Sequence, residues 1–398
     1  MAPNNDRIWK SLLLMIFVST GLFMWNAHRQ RVGKTLQTIP SDLARLSTQA
    51  IKVINTTDHN PSRPSTGHWK GRNADLPNSN ISLSNVSFDR SVTTLKRESL
   101  NHPRESWKRF PYPLDTDMVE LVRKLRSNMA VKESPIFQYQ YKFSYHPVHN
   151  CMEGSLLFIF LIKSAAGHFE RRKAIRETWA SSELMTKHNF IRMFLVGSPE
   201  KQLEMSDLRD EHEHHRDLII MSFRENYYNN TLKTIGAIHW TVQHCNRSKF
   251  VVFVDDDMLI FTTRLVDFLK FNATLPNFFG GAIQLHKPQR FRKSKWYVSP
   301  QDYPHDTYPP MPSAAFMIMT MNFVIDLHFA SQYTKKFIYD DCYLGILAYK
   351  LRVTPVSIHS VKIGLLSKKS IVFKYEARSL LAAHGYSPSL LRITWRIL

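Results

Sequence analysis

Cysteine is nearly absent. Cys151, Cys245 and Cys342 are the only three in 398 residues, too few for a disulfide framework or for a zinc site of their own. In an oxidising compartment they allow one pair and one free thiol, and the sequence alone leaves the pairing open. Glycine-rich phosphate loops are missing too, since neither G-x-x-x-x-G-K-S/T nor G-x-G-x-x-G appears. If this chain binds a nucleotide diphosphate, a metal must supply the neutralisation that such loops provide. Acidic residues are scarce, 33 Asp and Glu against 53 Lys and Arg, giving a net charge of +20. That balance first suggests a polyanionic partner. The basic residues form no single stripe, and there is no zinc-finger or RNP motif, so nucleic acid is not the expected partner. Phosphorylated substrates, an anionic membrane and a generally basic surface all fit.

Long apolar runs are rare as well, with one informative exception. "IWKSLLLMIFVSTGLFMW" (Ile8–Trp25) is nearly all apolar, and its Lys10 sits near the edge, where it can snorkel. As a helix its 18 residues reach roughly 27 Å, enough for a thin bilayer. Trp25 and Ala27 make a poor small-x-small cleavage site, so an uncleaved signal anchor is expected over a signal peptide. Flanking charge does not set the orientation, because Arg7 and Lys10 precede the run and Arg29, Arg31 and Lys34 follow it. N-x-S/T sequons at Asn55, Asn80, Asn85, Asn229, Asn246 and Asn272 fit a lumenal body. The expected organisation is a cytoplasmic tail (1–7), an anchor (8–25), a stem (26–110) and a catalytic body (111–398). The stem is rich in Ser, Thr, Asn, Pro and basic residues and shows neither helical nor strand period.

In the body, a helix is expected over Asp115–Met129. From Gly154 onward, short apolar runs alternate with helix-length segments. Strands are expected at Ser155–Ile162, Ile191–Gly197, Asp217–Phe223 and Phe250–Asp255. Helices are expected at His168–Trp179, Glu200–His215 and Thr231–Cys245. This alternation predicts an α/β fold with a mainly parallel central sheet flanked by helices, and ligands bind beyond the carboxyl ends of such strands.

"VDDD" (Val254–Asp257) stands at one of those ends. Extended backbone alternation sends Asp255 and Asp257 to one side and Asp256 to the other, a natural arrangement for a hard divalent cation. Taken alone, the run reads first as an acidic loop after a core strand. Arg172 and Arg176 fall four apart on one helix face, which suits a phosphate or a carboxylate network, and also describes a solvated basic face. "YDDCYLG" (Tyr339–Gly345) offers a second acid pair, either a general base or a helix N-cap. His384 in "HGYSPSLL" is, by itself, a loop histidine.

Taken together, these features form a series. R-x-A-I-R-x-T-W (Arg172–Trp179), F-L-V-G (Phe194–Gly197), Y-x-N-x-T-L-K-T (Tyr227–Thr234) and W-x4-C (Trp240, Cys245) come first. V-D-D-D, K-W-Y-V-S (Lys295–Ser299), Y-P-P (Tyr308–Pro310), D-D-x-Y-L-G (Asp340–Gly345) and H-G-Y-S-P (His384–Pro388) follow in order. The series resembles the β-1,3-galactosyltransferase family, which also contains β-1,3-N-acetylglucosaminyltransferases and brainiac-like enzymes. The resemblance runs from about Gly154 to the C-terminus.

The resemblance implies a type II, single-pass Golgi membrane protein with a GT-A fold and inverting transfer from a UDP-sugar to a glycan acceptor on glycoprotein or glycolipid. It implies Mn²⁺ at Asp257 and His384, Asp341 as catalytic base, and Arg172, Arg176, Asp255 and Asp256 beside the nucleotide-sugar. Trp296, Tyr308 and Asp340 are expected at the acceptor or sugar pocket. Cys151 and Cys245 resemble a family disulfide pair, leaving Cys342 as the odd thiol, and a homodimer is allowed for. UDP-galactose is the donor expected first, with UDP-GlcNAc as the alternative. Chemically, a histidine nitrogen among the ligands suits Mn²⁺ better than Mg²⁺. One departure stands out: after Y-P-P the chain reads "MPSAAFMIMT" (Met311–Thr320) with no glycine. Its Cβ atoms would narrow the sugar or acceptor pocket, and a non-catalytic binding or chaperone-like member of the fold is the rival reading.

Overall fold

Residues 116–147, 151, 155–364 and 377–398 are described by a computed structural model of the chain. The tail, the anchor, the stem and the sequons at Asn55, Asn80 and Asn85 lie outside the described residues. No helix among the described residues is long and apolar enough to cross a membrane.

In chain order the helices are α1 (Met118–Arg126), α2 (Phe169–Arg176), α3 (Ser182–His188), α4 (Gln202–His215), α5 (Asn230–His244), α6 (Thr262–Phe271), α7 (Met321–Gln332), α8 (Asp340–Lys350) and α9 (Pro388–Ile397). The main-sheet strands are β1 (Phe143–Tyr145), β2 (Phe158–Lys163), β3 (Phe190–Ser198), β4 (Leu218–Arg224), β5 (Phe250–Asp255), β7 (Phe279–Gln284), β8 (Met311–Thr320) and β9 (Val356–Ser357). A smaller sheet holds β6 (Met258–Ile260), β10 (Val361–Lys362) and β11 (Ala382–His384).

The apolar runs become strands because both of their faces are covered. Every residue of β2 is buried, as is every residue of β5 before Asp255. Alternation sends Ile159, Leu161, Val251 and Phe253 to one face, where they share a core with Ile235 of α5, Leu327 of α7 and Leu347 of α8. Phe158, Phe160, Ile162, Val252 and Val254 face the other way and pack with Ile175, Trp179, Leu265 and Leu269. Each fully buried side chain of this size contributes about 1.5–3 kcal/mol. Helix ends follow local chemistry. Asp117 caps α1 by accepting from Val119 N at 3.1 Å, and Ser387 caps α9, which begins with Pro388.

The eight-stranded sheet runs β1-β4-β3-β2-β5-β8-β7-β9. β4, β3, β2 and β5 are mutually parallel, as the alternation predicts. Beyond them the sheet stays mainly parallel in direction, with β1 and β8 reversed. β8 pairs antiparallel with both β5 and β7, so the sheet is mixed. The glycine-free stretch whose Cβ atoms are expected to narrow the pocket is this ten-residue strand.

Parallel register sets Lys163 of β2 beside Asp255 of β5, both at carboxyl ends. In the small sheet, antiparallel pairing sets His384 of β11 against Met258 of β6. A histidine 127 residues downstream of Asp257 is thereby delivered to the end of β5. Gly385 follows in the left-handed region at φ 97, which a residue with a Cβ rarely adopts, and its N–H and that of Tyr386 donate to the carbonyl of Asp257 at 3.0 and 2.8 Å.

Candidate active site

The three aspartates diverge. Asp256 is buried and turns toward the β2–α2 loop, accepting from Ser164 Oγ at 2.8 Å and lying 2.7 Å from His168 Nδ1 and 3.4 Å from Arg171 Nη1. Asp255 and Asp257 share a cluster with His384, and their candidate ligand atoms all lie within 4.8 Å of one another. Asp257 Oδ1 is buried and no donor among the described residues reaches it with hydrogen-bond geometry, although His384 Nε2 stands 3.1 Å away. Two carboxylates and an imidazole around an unbonded buried oxygen fit a divalent cation such as Mn²⁺.

Charge is tuned around this cluster. Burial raises the Asp255 carboxyl, against the pull of Lys163, and the negative charges of Asp340 and Asp257 push the same way. Asp257 is held below the ordinary carboxylate range: burial opposes this, but His384 and Arg171 prevail. His384 is raised first by its contact with Asp257, with burial opposing.

Lys163 was not singled out in the sequence, yet it occupies the centre of the site. It is buried, and its ammonium reaches Asp255 Oδ1 at 3.1 Å, Asp340 Oδ2 at 3.0 Å and the carbonyl of Ala314 at 2.9 Å. Burial alone would lower its pKa, but Asp255 and Asp340 raise it above the ordinary lysine value. Asp340 also accepts from Thr234 Oγ1 at 2.9 Å. Although burial pushes its carboxyl up, Lys163 and Thr234 hold it below the usual range. Asp341, next along α8, behaves oppositely: burial and the neighbouring Asp340 charge raise it. One acid of the pair is thus fixed as an anion, and the other is poised to take a proton. α8 reaches this position because Gly345 packs against β8, where a Cβ would lie 3.0 Å from that of Met311 and 3.4 Å from the carbonyl of Pro310.

A cleft of about 480 Å³ opens over these groups. Asp255, Lys163, Asp340 and Asp341 line it with Tyr227, Trp296, Tyr308 and Tyr339. Met311 and Ala314 of β8 also line it, so the glycine-free strand shapes the cleft without filling it. The exposed Trp296 donates from Nε1 to Tyr227 Oη at 3.2 Å, whereas Tyr308 is buried at the base.

Several expected site residues have other duties. Arg172 is 1% exposed and spends its guanidinium on Glu211, at 2.7 Å, and on the carbonyls of Ala165 and Ala166, at 2.6 and 3.0 Å. Arg176 pairs with Glu211 and Asp217, both at 2.7 Å. The buried carboxylates of α4 and of the residue before β4 take the charge of both, and Arg172 also braces the β2–α2 loop through its carbonyls. Asp256 is likewise a brace for that loop, whereas Asp340 lines the cleft while bonded to Lys163 and Thr234. Trp179 of the same motif donates from Nε1 to the carbonyl of Met258 at 2.9 Å, fixing the segment just after the aspartates. The accessible basic groups beside the cluster are Arg171, 3.5 Å from Asp257, and His168, neither of which the sequence reading selected. A lone arginine beside a conspicuous pair carries no signal of its own.

Cys151 and Cys245 form a disulfide, and Cys342 is a buried free thiol in the cleft wall. Of the sequons within the described residues, Asn246 is exposed and Asn229 half-buried. Asn272 is a correction: it is buried, and its amide donates to the carbonyl of Phe268 at 2.8 Å, so this sequon is not presented for modification.

An α/β sheet with a metal-ready acid–histidine cluster and a poised carboxylate beside an aromatic-lined cleft is the arrangement of a group transferase. The galactosyltransferase family model matches residues 170–359. Beta-1,3-galactosyltransferase brn of Drosophila melanogaster is 36% identical over 197 residues, 49% of this chain and 60% of that protein. Beta-1,3-galactosyltransferase 5 of Mus musculus is 29% identical over 220 residues, covering 55% of this chain and 71% of its own. UDP-GalNAc:beta-1,3-N-acetylgalactosaminyltransferase 1 of Rattus norvegicus is 28% identical over 276 residues, 66% of this chain and 81% of that protein. Residues 170–359 are thus similar to a galactosyltransferase domain, and the relatives that the chain resembles are named as β-1,3-glycosyltransferases. The match spans less than two thirds of the Drosophila protein, at 60% of its length.

Proposed function

We infer that the chain is an inverting β-1,3-hexosyltransferase that moves galactose from UDP-galactose to a sugar hydroxyl of a glycan acceptor, on glycoprotein or glycolipid. The observation that carries this reading is the Lys163 bridge. One ammonium ties the metal-ready end of β5 to the acid pair of α8, so donor activation and acceptor deprotonation share one rigid floor.

In this mechanism the acceptor hydroxyl enters the cleft beside Asp341. Its oxygen forms the new bond to the anomeric carbon as the bond to UDP breaks on the opposite face, and Asp341 takes the hydroxyl proton. Asp340 stays ionised against Lys163, and its charge makes Asp341 the stronger base. Asp257, Asp255 and His384 would hold the divalent cation, which when bound supplies Lewis-acid stabilisation to the departing diphosphate. Arg171 adds a fixed positive charge at that end. The GT-A fold, the use of Mn²⁺ and residence in the Golgi membrane as a single-pass type II protein belong to the same reading.

The three relatives carry two donor sugars in their names, so the test is a donor panel. UDP-galactose, UDP-GlcNAc and UDP-GalNAc are offered with neutral and charged acceptors, with and without Mn²⁺. Transfer from UDP-galactose that needs the metal and gives a β-1,3 product is the expected result. UDP-GlcNAc or UDP-GalNAc as the faster donor would replace the donor assignment. No transfer from any donor, with UDP-sugar still bound, would favour the non-catalytic reading.

A further inference from the structure

The segment between β7 and β8 places a cluster of cations on the rim of the cleft. It reads L-H-K-P-Q-R-F-R-K-S-K-W over Leu285–Trp296. Its shape is fixed: Gln289 bridges to Tyr297, Val298 N donates to the carbonyl of Gln289 at 2.9 Å, and Ser294 N donates to that of Phe291 at 2.9 Å. Arg290 is used internally, donating to the carbonyls of Val298, Tyr303 and His305 at 2.9, 2.7 and 3.0 Å. The other cations are not used this way. Lys287, Arg292, Lys293 and Lys295 are exposed, and among the described residues no carboxylate pairs with Lys287, Arg292 or Lys293. Lys287 lines the cleft itself. Lys295 holds its ammonium 4.7 Å from the Tyr227 ring centre and 4.9 Å from that of Trp296, at the same mouth. Both rings line the cleft, and Tyr339 fastens the segment by donating to the carbonyl of Lys295 at 2.9 Å.

We propose that this rim selects an anionic acceptor: a glycan bearing a carboxylate or sulfate close to the hydroxyl that receives the sugar. The proposal rests on the glycosyltransfer reading above and extends it to substrate class. Like charges gathered on one ordered loop cost self-repulsion, which an anion between them relieves. The acids at the floor, Asp255, Asp340 and Asp341, are neighboured by Lys163, so the rim cations are left for what enters from solvent. Trp296 and Tyr227 offer aromatic surface to a sugar ring at the point where Lys287 and Lys295 reach a charged substituent. A cleft with one sign of charge at its mouth also raises the local concentration of an oppositely charged ligand, an effect that salt weakens.

The test measures binding to the full chain, so that it reads independently of turnover. Two disaccharides identical in linkage are compared by titration calorimetry, one carrying glucuronate and the other glucose. A sulfated and an unsulfated disaccharide form a second arm, which separates the two anion types. The charged member is expected to bind about tenfold more tightly at low salt, the effect of roughly 1.4 kcal/mol from two nearby cations. That ratio should collapse toward one in K287Q/K295Q and at high salt. Equal affinity for the two members in both arms would overturn the proposal, as would a preference that persists in the double variant. Vesicles of anionic phospholipid that bind this rim while the disaccharides are not distinguished would overturn it in favour of a membrane surface. A retained charge preference in a chain that transfers no sugar would support the rim's role and contradict the catalytic reading.

Discussion

The ammonium of Lys163 lies 3.0 Å from a carboxylate oxygen of Asp340, and both side chains are buried beneath the cleft. The two residues are separated by 177 positions in sequence and brought together by the β2–β5–β8 order of the sheet and the packing of α8 on β8. Replacing Lys163 with methionine leaves Asp340 as a buried carboxylate without its cation and takes the same cation from the half-buried Asp255. Removing one member of such a cluster costs about 3–5 kcal/mol. Denaturant unfolding of Lys163→Met against the parent chain measures it, and a loss below about 0.5 kcal/mol would show that the bridge is not structural.

Asp341 should set the acidic limb of the rate profile. Burial and Asp340 raise its carboxyl above the ordinary value, and a base must be unprotonated to act. Activity therefore falls as pH drops through that raised value and levels off above it. The kcat/KM profile of the parent chain should show its acidic inflection above the ordinary carboxylate value of about 4. An inflection at or below that range would remove Asp341 from the role.

Metal affinity should fall in acid for a separate reason. Contact with Asp257 raises His384, so in the metal-free chain the imidazole holds its proton to a higher pH than an ordinary histidine does. A cation must displace that proton. Mn²⁺ titrations should show weaker binding as pH is lowered from about 8 to about 6, with proton release on binding. His384→Gln should weaken binding and flatten this dependence, and an unchanged slope in that variant would exclude His384 as a ligand.

The Cys151–Cys245 disulfide closes a loop with a sequence separation of 94. Chain-entropy arguments assign a loop of that size about 4–5 kcal/mol, and losses on removal usually run from about 2 to about 5. Cys151→Ser should lower unfolding stability within that range. Retained stability under reducing conditions would argue that the cross-link is dispensable.

Much of the fold follows from local patterning, and much of the site does not. β5 and the helix–strand alternation around it are legible because continuous apolar runs between helix-length segments have few other solutions. β8 escapes the same reading because Pro312 and the small residues Ser313–Ala315 resemble a loop, and its antiparallel direction is set by the connection, not by its own residues. Asp255, Asp257 and His384 meet only through the β6–β11 register, so the family series, not spacing, connects them. The Arg172–Arg176 pair was readable as phosphate-binding because its partners, Glu211 and Asp217, are about 35–45 residues away in a segment that looks solvated. Lys163 is invisible for a related reason: a lysine closing an apolar strand looks like an end that reaches water. Its burial depends on Asp340 arriving from another part of the chain.

The central claim, that the acid of α8 following the Lys163-bound Asp340 is the catalytic base, is tested most directly by Asp341→Asn. The variant keeps size and shape but cannot accept the proton. Initial rates of sugar transfer and donor affinity are measured on the same preparation, with the metal present. The account predicts a rate loss of about 10²-fold or more, the usual contribution of a positioned base, with donor affinity unchanged. Transfer at the parental rate by folded Asp341→Asn protein would contradict it.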